Sequence, residues 1–313
     1  MELLPVILLF VLGLALTVKG GDYFVDAASW MAEVSGIPKF IVGATIVSIA
    51  TTMPEMIVSV MAALEGKVDM GIGNAVGSVI ANTALIMGVA IVCLPFVINR
   101  KQYVFKMYLL LAAAAVLPLL CRSGQLTLGG AAIMLLIFIV FIVENVRAAK
   151  RQKSTEPRPA ISRNMLTANI IKFVLGTVGI VLGARLMVDN GSNIARIVGV
   201  PESVIGLTII AVGTSLPELV TMIVSVRKRQ VSLSVGNIIG ANIIDLASIL
   251  PVCAFVSGGA LPVAASSILI DMPFCLLVIA IIMLPTIITG RFQRWQGFTT
   301  ILLYFTYIIN VAF

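Results

Sequence analysis

The sequence predicts an all-α polytopic membrane protein with ten transmembrane helices arranged as two inverted five-helix repeats. Three observations lead to this prediction. The chain has 313 residues, of which 60% are hydrophobic and 11% are charged, whereas soluble domains carry about 25% charged residues. Apolar runs recur along the whole length, and each could cross a bilayer about 30 Å thick. A pattern of polar residues in the first half also recurs 163 positions later in the second half.

The apolar runs divide the chain into ten predicted spans. The first lies near 3–18. It has no basic segment before it and no small-residue cleavage site after it, so we interpret it as a helix and not as a signal peptide. The other nine are expected near 37–64, 71–96, 103–121, 126–146, 164–184, 202–226, 231–256, 268–289 and 296–312.

A polar segment, RAAKRQKSTEPRPAISRN, separates the fifth span from the sixth. Because it is basic and contains proline, it is typical of a linker. We therefore predict a first five-helix repeat at 1–146, a cytoplasmic linker at 147–163 and a second, inverted repeat at 164–313. An odd number of spans per half forces the second copy to insert upside down relative to the first, as in many secondary transporters.

The net charge of +7 indicates membrane orientation, since basic residues of membrane proteins concentrate in cytoplasmic loops. If the linker is cytoplasmic, ten alternating spans place 16 Lys and Arg residues inside and 4 outside, with Lys172 within a span. We therefore expect a multi-pass protein of the plasma membrane, which is the inner membrane of a prokaryotic cell, with both termini outside. The lipid bilayer is the expected environment, and neither a nucleic acid nor a protein partner is implied.

The composition also excludes several kinds of chemistry. The chain contains no histidine, and its four cysteines lie in or beside apolar runs without metal-ligand spacing. Histidine-based metal sites, acid–base pairs and triads are therefore excluded. No nucleophile or cofactor motif is present either. We predict that the protein is not an enzyme and needs no cofactor.

The repeat places a proline and a glutamate inside a span twice, in IATTMPEMIVSV and VGTSLPELVTMI. A carboxylate at the bilayer centre costs about 2.5–3.5 kcal/mol on the insertion scale, so Glu55 and Glu218 must face protein, water or a cation. Pro54 and Pro217 each remove a helical hydrogen bond, and we expect both helices to be broken there and to expose carbonyl oxygens. Hydroxyl, carbonyl and carboxylate oxygens suit Ca²⁺ and Na⁺.

Further oxygen-bearing side chains accompany each glutamate. Thr51, Thr52 and Ser48 precede Glu55, and the second copy supplies Ala211, Thr214 and Ser215. On the next span, Asn74, Ser78 and Asn82 form a polar stripe that recurs as Asn237, Ala241 and Asp245. Four glycines on these spans have the small-xxx-small spacing that permits close helix approach: Gly73, Gly77, Gly236 and Gly240. No strand precedes them, which argues against a nucleotide-binding loop.

The motifs ATTMPE with GNAVGS, and GTSLPE with GNIIGANIID, resemble the two alpha-repeats of the cation/calcium exchanger superfamily, in its sodium/calcium exchanger branch. The resemblance covers both halves of the chain. It implies a ten-helix secondary active antiporter with inverted repeats that exchanges Ca²⁺ for Na⁺ across the membrane by alternating access.

The resemblance also implies the ligands. Glu55 and Glu218 would be the main Ca²⁺ ligands, and Thr51 and Thr214 would add oxygens beside them. The neighbouring monovalent-ion sites would be completed by Thr52, Ser215, Ser78, Asn82 and Asp245, with backbone carbonyls from Ser48 and Ala211. Ca²⁺ and Na⁺ would be transported cargo, so no catalytic residue and no cofactor is expected.

One position departs from the family pattern. Family members usually carry serine where this chain has Ala241, so one hydroxyl is missing from the second-half Na⁺ site. Two alternatives to Na⁺/Ca²⁺ exchange therefore stay open at this point: a proton/Ca²⁺ antiporter on the same fold, and a cation channel. The dependence on K⁺ or H⁺, the stoichiometry and the oligomeric state are not determined by the sequence.

Overall fold

The structure is a computed structural model that describes residues 3–151, 162–197, 213 and 215–312. Most of the predicted linker and the first half of the predicted seventh span lie outside these ranges. Within them, the chain is almost entirely helical.

The described ranges form ten helices at the positions of the ten predicted spans. They are α1 (Leu3–Ser35), α2 (Lys39–Leu64), α3 (Val68–Cys93), α4 (Arg100–Leu120), α5 (Leu128–Arg151), α6 (Arg163–Ile197), α7 (Leu216–Arg227), α8 (Val231–Val256), α9 (Ser267–Thr289) and α10 (Arg294–Ala312). All but α7 and α10 are long and apolar enough, within the described residues, to cross a membrane by themselves. The helix α1 extends well beyond the predicted 3–18, and α6 well beyond 164–184.

Four of these helices contain a π-helical turn, which the sequence analysis did not predict. The turns occupy Gly43–Val47 in α2, Ala81–Met87 in α3, Asp245–Ile249 in α8 and Ser267–Asp271 in α9. The turns in α3 and α8 begin within one residue of positions that the 163-residue repeat relates to each other. Such turns leave backbone groups without their usual helical partners and occur frequently at functional sites.

A short antiparallel pair of strands joins two loops, and no strand was predicted. Strand β1 (Gln125–Thr127) follows α4, and strand β2 (Ala260–Pro262) follows α8. Leu126 pairs with Leu261 in this ribbon, and both side chains are buried. The ribbon ties the start of α5 to the end of α8.

Among the eight described helices that are long and apolar enough to cross a membrane, α8 is the most buried. In its most apolar 18-residue segment, 89% of the residues are buried inside the protein. The helix α8 packs directly on α2 through two glycines. A Cβ added at Gly236 would overlap the carbonyl oxygen of Phe40, and one at Gly240 would lie 2.7 Å from the carbonyl oxygen of Ala44. The predicted close approach at Gly236 and Gly240 is therefore confirmed. The α2 residues that pack on these two glycines correspond to residues between 203 and 211, which lie outside the described ranges, so the same approach at Gly73 and Gly77 is not tested.

The helices α1 and α6 form a tight antiparallel pair across the two halves. A Cβ added at Gly13 would lie 2.8 Å from the carbonyl oxygen of Gly183, and one at Gly20 would lie 2.9 Å from that of Gly176. The two backbones thus touch along about two turns, as glycine-lined helix pairs do in membranes. Many apolar side chains on the other faces of both helices are exposed, as expected of surfaces that contact lipid.

Candidate cation-binding site

The two Pro-Glu motifs lie in different backbone settings. The predicted break at Pro54 is wrong, because Ser48–Leu64 is a continuous helix that contains this proline. Proline removes one hydrogen bond, and the irregular turn of α2 lies upstream, at Gly43–Val47. In the second copy, α7 begins at Leu216 with Pro217 in its first turn. Because N–H groups in the first turn have no acceptor within the helix, proline breaks no helical hydrogen bond there.

Three carboxylates lie in the interior between the two halves. Glu55, Glu218 and Asp245 are at most 1% exposed. Glu55 is close enough to Glu218 and Asp245 to be repelled by both. None of the six carboxylate oxygens has a hydrogen-bond partner among the described residues. Ionised carboxylates buried in this way are strongly unfavourable unless a cation compensates them.

The other predicted site residues that the structure describes are also buried. They are Ser48, Thr51, Thr52, Ser78, Asn82 and Ser215. Within the described residues, the Thr52, Ser78 and Ser215 hydroxyls and Asn82 Oδ1 have no hydrogen-bond partner. Thr214 and Ala211 lie outside the described residues. The structure therefore contains a region rich in carboxylate, hydroxyl and amide oxygens whose hydrogen-bonding capacity is largely unused.

Hydrogen bonds between the halves hold several of these groups in place. The Thr51 hydroxyl donates to Asn237 Oδ1 at 3.1 Å, which joins α2 to α8. The Asn82 amide donates to Asn242 Oδ1 at 3.1 Å, and the Asn242 amide donates to the Thr83 hydroxyl at 2.8 Å. Because the Asn82 amide nitrogen donates to Asn242, the side chain is held in place while its Oδ1 is free to bind a cation.

Asn74 fixes the backbone beside the first glutamate. Its amide donates to the carbonyl oxygen of Glu55 at 3.2 Å and to the Ser59 hydroxyl at 2.9 Å. The member of the predicted polar stripe nearest the start of α3 thus supports the site through the backbone of α2.

Sequence reasoning missed two of the supporting residues, Asn242 and Thr83. The signal for Asn242 is its presence in an otherwise apolar stretch of α8, three residues before Asp245. Asn82 and Asp245 both lie at π-helical turns, one as the second residue and the other as the first. Hydropathy and spacing do not reveal such turns, because a π-helical turn differs from an α-helix in its backbone hydrogen bonds.

The carboxylates do not form a preformed metal centre of the kind that enzymes use. Within the part of the chain that the structure describes, no three His, Cys, Asp or Glu side chains converge on one point. The cation ligands would therefore have to be mixed, with hydroxyl, amide and carbonyl oxygens beside the carboxylates. Mixed oxygen ligands suit Na⁺ and Ca²⁺ better than Zn²⁺, which prefers nitrogen and sulfur.

A cavity of about 430 Å³ lies on one side of the site, between α2, α6 and α7. Pro54 and Pro217, the residues directly before the two glutamates, are part of its lining, and Arg185 and Asp189 of α6 line it as well. The cavity therefore extends to the residues next to both glutamates, while the glutamate side chains themselves are buried.

The symmetry-related position on the opposite side is closed. Gly21 of α1 packs on Val220 and Val224 of α7 so tightly that a Cβ there would lie 2.7 Å from Val220. The repeat relates Gly21 to Ala184 and Val220 to Ile57, both of which line the cavity. Val224 is 3% exposed, whereas its counterpart Met61 is 50% exposed. The two halves therefore differ in packing at this position, which is tight between α1 and α7 and open between α6 and α2.

The sequence of this chain is similar to that of known membrane proteins. The family model described as sodium/calcium exchanger protein matches residues 5–146 and 168–313. Inner membrane protein YrbG of Escherichia coli is 36% identical over 80% of this chain and 80% of its own length. Sodium/calcium exchanger MaX1 of Methanosarcina acetivorans is 30% identical over 96% of this chain and 97% of its own.

Solved structures agree with these matches. A structure of the sodium-calcium exchanger NCX_Mj soaked with Na⁺ and Sr²⁺ superimposes with a TM-score of 0.85, at 26% sequence identity, over 98% of this chain and 99% of that one. Both the predicted fold of ten helices in two inverted repeats and the predicted family resemblance are confirmed. The chain belongs to the sodium/calcium exchanger protein family, in the cation/calcium exchanger superfamily.

Proposed function

We propose that this protein is a secondary active antiporter that exchanges Ca²⁺ for Na⁺ across the membrane by alternating access. The observation that carries the proposal is the group of three buried carboxylates, Glu55, Glu218 and Asp245, whose oxygens have no hydrogen-bond partner among the described residues. Either one Ca²⁺ or several Na⁺ would neutralise the same negative charge. Competition for shared carboxylates makes the binding of the two ions mutually exclusive, which is what exchange requires.

The proposed role of each group rests on the resemblance to the exchanger family. Glu55 and Glu218 are the main Ca²⁺ ligands, and oxygens of Thr51 and Thr214 complete that site. Thr52, Ser215, Ser78, Asn82 and Asp245 contribute to the neighbouring Na⁺ sites, together with backbone carbonyls of Ser48 and Ala211. The unpaired hydroxyls of Thr52, Ser78 and Ser215 support this assignment. The ions are cargo, so the protein has neither a cofactor nor a catalytic residue.

The proposed orientation places both termini outside and the linker in the cytoplasm, in the plasma or inner membrane. The distribution of 16 basic residues inside and 4 outside supports it. In this orientation the open cavity beside Arg185 faces outward, and the closed contact at Gly21 faces the cytoplasm. The division into repeats at 1–146 and 164–313, joined by 147–163, is part of the same proposal.

Exchange is tested with purified protein in liposomes, by measuring uptake of radioactive Ca²⁺ at a clamped membrane potential. An outward-directed Na⁺ gradient should drive uptake, whereas equal Na⁺ on both sides should not. Uptake that occurs without any counter-ion gradient would contradict exchange and indicate a channel.

One observation favours proton coupling as a second candidate. Ala241 is fully buried on α8, one turn before Asp245, and has no oxygen to offer to Na⁺. Uptake that follows an imposed pH gradient and ignores Na⁺ would support a proton/Ca²⁺ antiporter in place of a Na⁺/Ca²⁺ exchanger.

A further inference from the structure

Two acidic residues of α1 bind the basic loop between α7 and α8. Arg227 Nη2 lies 2.6 Å from Asp22 Oδ1, and Lys228 Nζ lies 3.3 Å from the same atom and 2.7 Å from Asp26 Oδ1. Lys228 also donates to the backbone oxygen of Asp22 at 3.1 Å. These contacts lie next to Gly21, so they fasten α1 to α7 where the cleft is closed.

The internal repeat reverses the sign of Asp22 and of Lys228, whereas Asp26 corresponds to Asp189 and keeps its sign, and Arg227 corresponds to the uncharged Leu64. Asp22 corresponds to Arg185, and Lys228 corresponds to Glu65. The attraction between the two positions is therefore preserved although neither charge is. A second ion pair on the same side, Glu33 with Lys39 at 3.0 Å, is reversed in the same way in the sequence, as Arg196 and Glu202.

Membrane orientation supplies a physical reason for the reversal. The loop after α7 is cytoplasmic in the proposed orientation, and basic residues favour that side. The symmetry-related loop after α2 lies outside and carries Glu65. If the contact between the loop and the long helix matters in both copies, the helix must change sign together with the loop.

In the structure, the outer partners are separated from each other. Arg185 Nε is 3.9 Å from Asp189 Oδ2, one turn further along α6, and Glu65 Oε2 is 2.7 Å from Lys67 Nζ. The hydrogen bond from Lys67, together with its charge, lowers the pKa of Glu65 below its ordinary value. Both Arg185 and Glu65 are solvent-exposed, and Arg185 lines the open cavity.

We propose that Arg185 and Glu65 are positioning residues that pair when the outer cleft closes, as Asp22 and Lys228 pair while the inner cleft is closed. The inference rests on the proposed alternating access. Each pair stabilises one of the two states, and the formation of one requires the separation of the other. Exposed ion pairs contribute little individually, so each shifts the equilibrium between the states by about two- to five-fold and does not lock it.

Two matched cysteine reporters can follow the clefts. Ile57→Cys lies in the outer cavity, and Val220→Cys lies at the symmetry-related inner position. Both would be placed in a Cys93→Ser background, since Cys93 is exposed and the other three cysteines are buried. The measurement is the rate at which a hydrophilic maleimide labels each reporter in purified protein, expressed as the ratio of outer to inner labelling.

Asp22→Asn should lower this ratio by about two- to five-fold, and Arg185→Gln should raise it by a similar factor. Arg185→Glu should raise it as well, and adding Glu65→Arg to that variant should restore the starting ratio. Loss of folding would raise labelling at both reporters, which distinguishes it from a change in equilibrium. An unchanged ratio in Arg185→Gln, or no restoration by Glu65→Arg, would overturn the proposed outer pair.

The labelling experiment does not depend on which ions are transported. If wild-type liposomes show no Na⁺-driven Ca²⁺ uptake while the two reporters still respond in opposite directions, the proposed exchange fails and the paired contacts stand. If uptake is normal and the reporters do not respond, the proposed exchange stands and the paired contacts fail.

Discussion

The Thr51 hydroxyl donates a 3.1 Å hydrogen bond to Oδ1 of Asn237, and this contact joins the first Pro-Glu helix to the central helix of the other half. Both residues are fully or almost fully buried. The bond holds the Thr51 side chain one turn before Glu55. The geometry of the proposed Ca²⁺ site thus depends on residues from both repeats.

Replacing Thr51 with valine should weaken Ca²⁺ binding, because it removes a proposed ligand oxygen, and should also lower the stability of the ion-free protein. The substitution keeps the shape of the side chain but leaves the buried Asn237 Oδ1 without its donor, which costs about 1–3 kcal/mol. Isothermal titration of Ca²⁺ into the purified variant measures the change. Thr51→Ser keeps the hydroxyl and serves as the control. Unchanged affinity in Thr51→Val would show that the hydroxyl is not needed.

Glu55→Gln and Glu218→Gln should each abolish Ca²⁺ uptake in liposomes while the protein remains folded. In ion-free buffer, their melting temperatures should equal or exceed that of the wild type, because each removes a buried charge that has no partner. Added Ca²⁺ should stabilise the wild type and neither variant, since a ligand stabilises only a protein that binds it.

Asp69→Asn is the matched control for the glutamate variants, because Asp69 is an exposed acid in the first turn of α3. It removes one negative charge and should leave uptake unchanged. Coupled uptake that persists in both glutamate variants would contradict the assignment of Ca²⁺ ligands.

Ala241→Ser should lower the Na⁺ concentration that half-inhibits Ca²⁺ binding by about ten-fold. The new hydroxyl would lie on the buried face of α8, one turn from Asp245, and a single interaction with a charged group contributes about 1.5 kcal/mol or more. Ala254→Ser makes the same change on the same helix, about 20 Å further along, and should have no effect on Na⁺. An equal Na⁺ response in both variants would make the missing hydroxyl irrelevant.

Gly43→Ala should destabilise the protein by about 1–3 kcal/mol, because the new Cβ would overlap the carbonyl oxygen of Leu233 and force α2 and α8 apart. Thermal unfolding in detergent measures the effect as a lower melting temperature. Gly129→Ala is the control. The nearest atom to its Cβ would be 3.9 Å away, and the loss of a helical glycine should leave the protein as stable as before or slightly more stable. If Gly43→Ala and Gly129→Ala melt at the same temperature, α2 can shift away from α8 without loss of stability.

Much of the fold could be predicted from the sequence, because the cost of polar groups in lipid constrains membrane proteins strongly. The spans followed from hydropathy. Glu55 and Glu218 stood out because a buried carboxylate needs a compensating partner. The matching positions in the second copy made the inverted arrangement evident, and the solved structures confirm it.

Other features could not be predicted because they depend on contacts between distant residues. Hydropathy alone ends α1 near Val18, but the helix continues to Ser35, where several of its apolar side chains are buried and Asp22 and Asp26 are paired with Arg227 and Lys228. The helix α2 also stays continuous through Pro54, although proline removes a helical hydrogen bond there. Nor does the sequence specify which cleft is open, because two similar repeats permit either state.

The glycine contact between α1 and α6 has a consequence for biogenesis. Gly20 meets Gly176, which is 156 positions later in the chain. At about 5–20 residues per second, the ribosome needs roughly 8 to 30 s to produce the second helix after the first. During that interval the nascent α1 resides in the bilayer with Gly13 and Gly20 facing lipid or a chaperone. The amino-terminal half therefore completes its packing only after the carboxy-terminal half has begun to insert.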